Sequence, residues 1–265
     1  MDAEPPEIDT SVPHSARIWN YWLGGTDNYE ADRTAGDQFL KTFPDIAVIA
    51  RATREFMGRA IRYLAAEEGI RQFLDIGTGL PVSNAAHEIA QEVAPESRVV
   101  YVDNDPVVLL HAQSLLASGP EGSCDFIDAD MREPGKIIAA AARTLDLSRP
   151  VAVLFMGVLG HVTDDAEAVT LVSTLMNAVP SGSYLVLSDG TAVAGAEQGQ
   201  AAQDEYNESG AEPYFLRSPM QIARFLDGFA LVPPGLVSVT RWRQEETSSE
   251  PAPEVDALGG VGRKS

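Results

Sequence analysis

The most constraining stretch of the chain is Gln72-Phe73-Leu74-Asp75-Ile76-Gly77-Thr78-Gly79-Leu80-Pro81. A short apolar run carrying a carboxylate leads into two glycines one residue apart and then a proline. Lacking a Cβ, Gly77 and Gly79 let the chain turn sharply and bring its amides close to a ligand. Pro81 suits the first turn of a helix, where its missing N–H costs nothing. Ala86, Ile89, Ala90 and Val93 then recur at helical spacing. Strand, glycine turn and helix make the first βα unit of a nucleotide-binding α/β fold.

A second unit stands in register with the first. Arg98-Val99-Val100-Tyr101-Val102-Asp103 is another apolar run ending in an acid, and Asp103 follows Gly79 by 24 residues. An acid at the end of the second strand, about 20 residues past the glycines, is placed to bind a ribose diol. The third glycine of the dinucleotide fingerprint G-x-G-x-x-G is missing, since Pro81 and Val82 follow Leu80. Asp75, two residues before Gly77, would repel a pyrophosphate. Both features count against an NAD-dependent oxidoreductase and favour a ligand with a cationic group, as in S-adenosylmethionine.

The alternation continues. Cys124 to Met131 reads as a third strand ending in an acid, and Ile137 to Leu145 as a helix. Pro150 to Gly157 is a fourth strand, apolar throughout as for a strand covered on both faces. Asp164 and Glu167 open a helix whose expected buried stripe is Val169, Val172, Met176 and Val179, and Tyr184 to Ser188 is a fifth strand. Residues 191–212 read as a mobile loop or irregular helix. Ser218 to Gln221 has the pattern of a capping box with proline at the first helical position. A hairpin around Pro233-Pro234-Gly235 leads into a closing strand over 237–242. Residues 245–265, rich in Glu, Ser, Pro and Gly, are expected to be disordered.

Before the first strand, Ser15 to Leu23 forms a short amphipathic helix and Asp45 to Glu67 a longer one, with Ile49, Ala52, Phe56, Ala60 and Tyr63 along one stripe. Gly24-Gly25-Thr26-Asp27-Asn28 breaks the chain between them, and Asp27 or Asn28 is expected to cap free amides. These helices lie outside the βα repeat, so they pack on the sheet or cover its ligand edge. Tyr21, Gly24, Gly25 and Asn28 are the expected lid and one wall of an acceptor pocket. The division that results is a flexible lead over 1–12, a helical extension over 13–70, a ligand-binding domain over 71–244 and the tail.

Taken together, Ser15-Ala16-Arg17-Ile18-Trp19-Asn20-Tyr21-Trp22-Leu23-Gly24-Gly25-Thr26-Asp27-Asn28-Tyr29, the D-x-G-x-G of Asp75 to Gly79, and Val100 to Pro106 carry a resemblance. From about residue 10 to residue 243 the chain resembles the S-adenosyl methyltransferase family of actinobacteria, within the class I S-adenosylmethionine-dependent methyltransferases. That resemblance implies a Rossmann-like α/β fold: a mostly parallel seven-stranded sheet with helices on both faces, a closing β-hairpin and an N-terminal helical lid. It implies S-adenosylmethionine as cofactor and S-adenosylhomocysteine as product. The cofactor residues it implies are Asp75, Gly77, Thr78, Gly79, Asp103, Asn104, Asp130, Met131, Met156 and Gly157, with Asp130 on the adenine amine and Met131 along the ring.

Methyl transfer from a sulfonium is an in-line displacement in which alignment supplies most of the catalysis. It requires no metal, nucleophilic cysteine or Ser/His/Asp triad. If the acceptor is a hydroxyl in a small molecule, a general base helps, and His161, just past the fourth strand, is the candidate. The reading from another class is a protein that binds S-adenosylmethionine without transferring its methyl.

Charge and composition narrow the partners. A net charge of −20 offers no basic footprint for nucleic acid and makes anionic membranes poor partners. The single cysteine, Cys124, excludes an internal disulfide and a cysteine-based metal cluster, and the four histidines are scattered. Residues 1–13 are acidic and proline-bearing rather than basic then apolar, and no apolar run reaches membrane-spanning length, so a cytoplasmic protein is expected.

Overall fold

The computed structural model describes residues 8–80, 84–115, 121–193, 196–244 and 253–265. Three helices precede the first strand: α1 (Ser15–Trp22), α2 (Glu30–Thr42) and α3 (Ile46–Ala66). Asp32, fully buried, joins the starts of the first two. Its carboxylate accepts the amide of His14 ahead of α1 at 2.9 Å and that of Tyr29 ahead of α2 at 2.8 Å. The capping expected of Asp27 or Asn28 is therefore done by Asp32. Helix α2 is absent from the sequence reading, because its pattern is largely polar and it buries only Asp32, Gly36 and Phe39. Helix α3 has Asp45 and Glu67 as its caps and buries the expected stripe from Ile49 to Ala60, together with Met57, Ile61 and Leu64.

The βα repeat then runs β1 (Gln72–Ile76), α4 (Ala86–Val93), β2 (Arg98–Asp103), α5 (Pro106–Leu115), β3 (Ser123–Asp128), α6 (Pro134–Ala141), β4 (Ala152–Met156), α7 (Asp165–Asn177) and β5 (Tyr184–Gly190). Pro81 lies outside the described residues, and α4 begins only at Ala86. The third strand stops at Asp128, short of Asp130. In α7 the buried residues are Ala168, Leu171, Val172, Leu175 and Met176, whereas Val169, expected inside, is exposed. The chain continues through α8 (Ala196–Asn207), α9 (Pro219–Arg224), β6 (Ala230–Leu231), β7 (Val237–Ser238) and β8 (Ala257–Arg263). Helix α8 replaces the expected loop, and Ser218 caps α9 in the expected capping box with Gln221.

The strand order is β3-β2-β1-β4-β5-β8-β6, with β7 also paired to β8, so the described residues contain an eight-stranded sheet rather than a seven-stranded one. Strands β1 to β5 are parallel, while β8 runs antiparallel to β5. The expected closing hairpin is corrected. The strands on either side of Pro233-Pro234-Gly235 pair with β8 instead of with each other, Leu231 opposite Gly262 and Val237 opposite Gly259.

The expectation of disorder over 245–265 is corrected as well, for 257–263 form the strand that fills this edge. Its glycines provide room. A Cβ on Gly259 would stand 2.9 Å from the Phe56 ring, and one on Gly262 would stand 2.7 Å from Phe229. Helix α3 packs on one face of the sheet, sharing an apolar cluster with Phe73, Val99, Leu154 and Val186, and the opposite face buries α6, α7 and α9 against Leu74, Val100, Val153 and Leu187. No helix among the described residues is long and apolar enough to cross a membrane.

Candidate active site

The chain leaves β1 toward β2 and β3, then crosses back to β4 and β5, so the sheet reverses direction between β1 and β4. In open α/β sheets that switch point is where ligands bind, at the carboxyl ends of the strands. A cleft of about 1060 Å³ opens there. Gly77 (φ +67°) and Gly79 (φ +66°) take the left-handed conformation that favours glycine. The amides of Gly77 and Thr78 both bond to Val102 O, at 2.8 and 3.1 Å, tying the loop to β2. The two glycines differ in what a side chain would meet. A Cβ on Gly77 would stand 2.4 Å from Val158, whereas a Cβ on Gly79 meets nothing within 4 Å and would enter the cleft.

Asp75 is buried at 2 % exposure beneath this loop. Thr78 Oγ1 donates to its Oδ2 at 3.2 Å, and Oδ1 has no partner. Burial pushes its pKa up to about 6, although the Arg54 guanidinium and the Thr78 hydroxyl act against the rise. Asp103 accepts the Gly79 amide at 2.7 Å and the Asp105 amide at 3.0 Å, one on each oxygen. Each oxygen keeps a further lone pair, and burial raises this carboxylate too.

Farther along the edge, Asp130 accepts the Arg132 amide at 2.8 Å and caps no helix. Arg132 bridges Asp130 and Glu212, each at 3.2 Å, and donates to His161 O at 2.6 Å. Asn104, Met131, Met156 and Gly157 complete the cleft, so all ten expected cofactor residues lie on one rim or immediately beneath it.

The expected lid residues lie elsewhere. Tyr21 donates to Asp37 at 2.6 Å and packs on Gly36. Asn28 Nδ2 donates to Asn20 Oδ1 and to Gly25 O, both at 2.9 Å. A Cβ on Gly25 would collide with Asn20, and Gly24 (φ +82°) turns the chain. None of the four lines the cleft. Gly25 and Asn28 hold Asn20, which does, and the wall from this segment is His14, Ser15, Ala16, Trp19, Asn20 and Leu23. Sequence reasoning passed over His14, Asn20 and Arg54. Asn20, a lone amide in an aromatic helix, was the one signal available.

A second cavity adjoins the cleft and shares Ser15, Trp19, Thr53, Gly157 and His161 with it. His161 closes a 3-10 turn (Leu159–His161) just past β4 and stands edge-on to Tyr214 at 5.1 Å. Its Nδ1 lies 3.0 Å from Pro213 O. A carbonyl only accepts, so Nδ1 carries the proton and Nε2 of the neutral ring is an acceptor. Burial lowers the pKa below the ordinary 6.5, against the opposing pull of Glu212.

A family profile described as S-adenosyl methyltransferase matches residues 1–265. The chain belongs to the S-adenosyl methyltransferase family. It is similar to a DUF574 family protein of Streptomyces avermitilis, at 45% identity over 98% of this chain and 100% of that one, with a TM-score of 0.94. A candidate methyltransferase of Thermobifida fusca shares 37% identity over 98% of each chain, with a TM-score of 0.89. The magnesium protoporphyrin IX methyltransferase of Synechocystis with bound S-adenosylhomocysteine, at 17% identity over 94% of this chain and 93% of that one and a TM-score of 0.54, shares the fold. No curated protein matches the chain.

The cofactor of this methyltransferase is S-adenosylmethionine, and the cleft fits it. Asp75 Oδ1 is a buried acceptor without a partner, and Asn20 Nδ2 a buried donor without one. With the Arg54 guanidinium beside Asp75, this end offers both signs of charge, as an amino-acid zwitterion requires. The open space at Gly79 admits a ligand against the backbone. Among the described residues no group of three or more His, Cys, Asp or Glu could hold a metal ion.

Proposed function

We propose that this methyltransferase acts on the hydroxyl of a small molecule in the cytoplasm, with His161 as general base. Asp75, Asn20 and Arg54 hold the amino-acid end of the cofactor, Asp103 the ribose, and Asp130 and Met131 the adenine. When bound, S-adenosylmethionine supplies an electrophilic methyl on a positively charged sulfur. His161 Nε2 would take the proton of an acceptor hydroxyl as that oxygen bonded to the methyl carbon, the S–C bonding pair remaining on sulfur.

The observation that carries this reading is the placing of His161 on the wall common to both cavities, with Nδ1 committed to Pro213 O. Burial keeps the ring neutral at physiological pH, the state a base needs. The net charge of −20 argues against nucleic acid as acceptor.

Purified protein with a library of hydroxylated compounds tests it by S-adenosylhomocysteine formation. His161→Gln should lower turnover by about 10²–10⁴-fold while cofactor affinity stays within about twofold. Turnover unchanged in that variant would remove His161 from the reaction.

A further inference from the structure

The second cavity has a chemical character distinct from the cofactor cleft. Trp19, Trp22, Phe39, Phe43, Tyr206 and Tyr214 line it. Five of these rings pack on one another: Trp22 lies 5.7 Å from Trp19 and 5.1 Å from Phe39, and Phe39 lies 6.4 Å from Phe43 and 6.1 Å from Tyr206. The faces and edges of these rings that line the cavity offer an aromatic ligand the packing geometry they make with one another.

The opposite wall is the carboxyl end of β5. Residues alternate along a strand, and here Tyr184 and Val186 join the core beneath α3 while Leu185 and Leu187 join the other one. Ser188 continues the first face. It is 1 % exposed, lines the cavity, and its Oγ has no partner. Thr191, 3 % exposed, also lines the cavity, and its Oγ1 has no partner. A buried hydroxyl left unpaired is destabilising, so two on one wall point to a polar group of a ligand. Ser188 sits opposite Met156 in the strand register, and its carbonyl accepts the Gly157 amide at 2.8 Å, which brings this wall next to the junction with the cleft.

Charge narrows the ligand further. Among the described residues no lysine or arginine lines the cavity, while Asp189 and Asp256 do. Asp189 is engaged by the Tyr214 hydroxyl, by the Gly190 amide and by Arg217 at 3.4 Å, and Asp256 accepts the Val193 amide at 3.0 Å. Arg217 is committed to Asp189 and Asp165, so a ligand carboxylate or phosphate would find no cation of its own among the described lining residues. An ammonium beside Asp189 and Asp256 would stay protonated, with no lone pair to accept a methyl.

We infer that this cavity is the acceptor site, and that it selects an uncharged aromatic hydroxyl compound carrying a second polar group bound by Ser188 and Thr191. This rests on the methyltransferase reading above and adds the substrate class.

Calorimetry on the full chain saturated with S-adenosylhomocysteine tests it without turnover, using 7-hydroxycoumarin below the pKa of its hydroxyl as probe. The neutral probe should bind at least about tenfold more tightly than 7-hydroxycoumarin-3-carboxylate. The double variant Ser188→Ala, Thr191→Val should weaken the probe about fivefold or more and leave S-adenosylhomocysteine affinity within about twofold. The wild-type comparison of the two probes needs no variant to fold. Equal or tighter binding of the carboxylate, no binding of the neutral probe, or an unchanged affinity in the double variant would each overturn the assignment. Failure to bind S-adenosylhomocysteine at all would instead sink the cofactor reading, so the two failures are distinguishable.

Discussion

Asp75 pays in stability for its place under the glycine loop. Its folded pKa lies near 6 against an ordinary 3.8, raised by burial. A carboxylate raised in this way destabilises the fold once it ionises: stability falls as pH rises from 3.8 through about 6 and is level beyond. At about 1.4 kcal/mol per pK unit the penalty is on the order of 3 kcal/mol, an upper bound where water reaches the group. Asp75→Asn should therefore raise the melting temperature of the free protein at about pH 7.5 while weakening S-adenosylmethionine binding about tenfold or more. In the wild type, affinity should fall as pH drops below about 6, where Asp75 loses its charge. Calorimetry across pH with both proteins checks this, and a variant that binds as well as wild type would remove Asp75 from the site. The two loop glycines make a paired test. Gly77→Ala collides with Val158 in the fold and should cost stability first. Gly79→Ala meets only open cleft, so beyond the strain of about 1–2 kcal/mol at positive φ its effect should fall on binding. Equal affinity loss at equal stability loss would mean that the loop is only structural.

Among the elements, β1, β2, β4 and β5 were legible because their apolar runs are short and are broken by turns or acids. The rim of the cleft came with them in part: Asp75, Gly77, Gly79 and Asp103 stand out by spacing, while Asp130 and Met131 came from the family resemblance. What stayed hidden did so for physical reasons. Helix α2 buries too little apolar surface to show a helical stripe. Strand β8 reads as a flexible tail because Gly259, Gly260 and Gly262 were counted as a loss of order, whereas their missing side chains let Phe56, Leu226 and Phe229 pack onto the sheet. Asn20, His14 and Arg54 reach the cleft from α1, its cap and α3, and no local spacing reports a contact across layers. If β8 is held by that close packing, Gly262→Val should be severely destabilising, by about 3 kcal/mol or more, through overpacking against Phe229. Chemical denaturation measures it. A loss under about 1 kcal/mol would mean that β8 contributes little to the sheet.

At the scale of the whole molecule, α1 is a wall of both cavities, through Ser15 and Trp19. Its start is held by Asp32 and by a charged clamp: His14 Nδ1 lies 2.8 Å from Asp105 Oδ2, with Arg17 3.6 Å from the same oxygen. The Ala16 amide donates to the same nitrogen at 3.3 Å, so the two contacts compete: unprotonated Nδ1 accepts from Ala16, and protonated Nδ1 pairs with Asp105. Burial disfavours the charged imidazole, but the hydrogen bond and the charges of Asp105 and Asp103 outweigh it and raise the pKa above the ordinary 6.5. Asp105 is lowered by the same contact, against burial. The signs follow. The His14 contribution is complete below 6.5 and is lost as pH rises through the raised value, and that of Asp105 is lost only in acid. A wall that is fixed at one end by a titrating clamp and must let cofactor pass is suited to open and close. Hydrogen exchange over residues 15–22, corrected for its intrinsic pH dependence, should quicken in the free protein as pH rises through the raised His14 value. His14→Gln should abolish that pH dependence, and S-adenosylhomocysteine should slow exchange at every pH. Equal protection with and without ligand, in both proteins, would make α1 fixed packing, and cofactor would then have to enter past the Arg132–Glu212 side of the cleft.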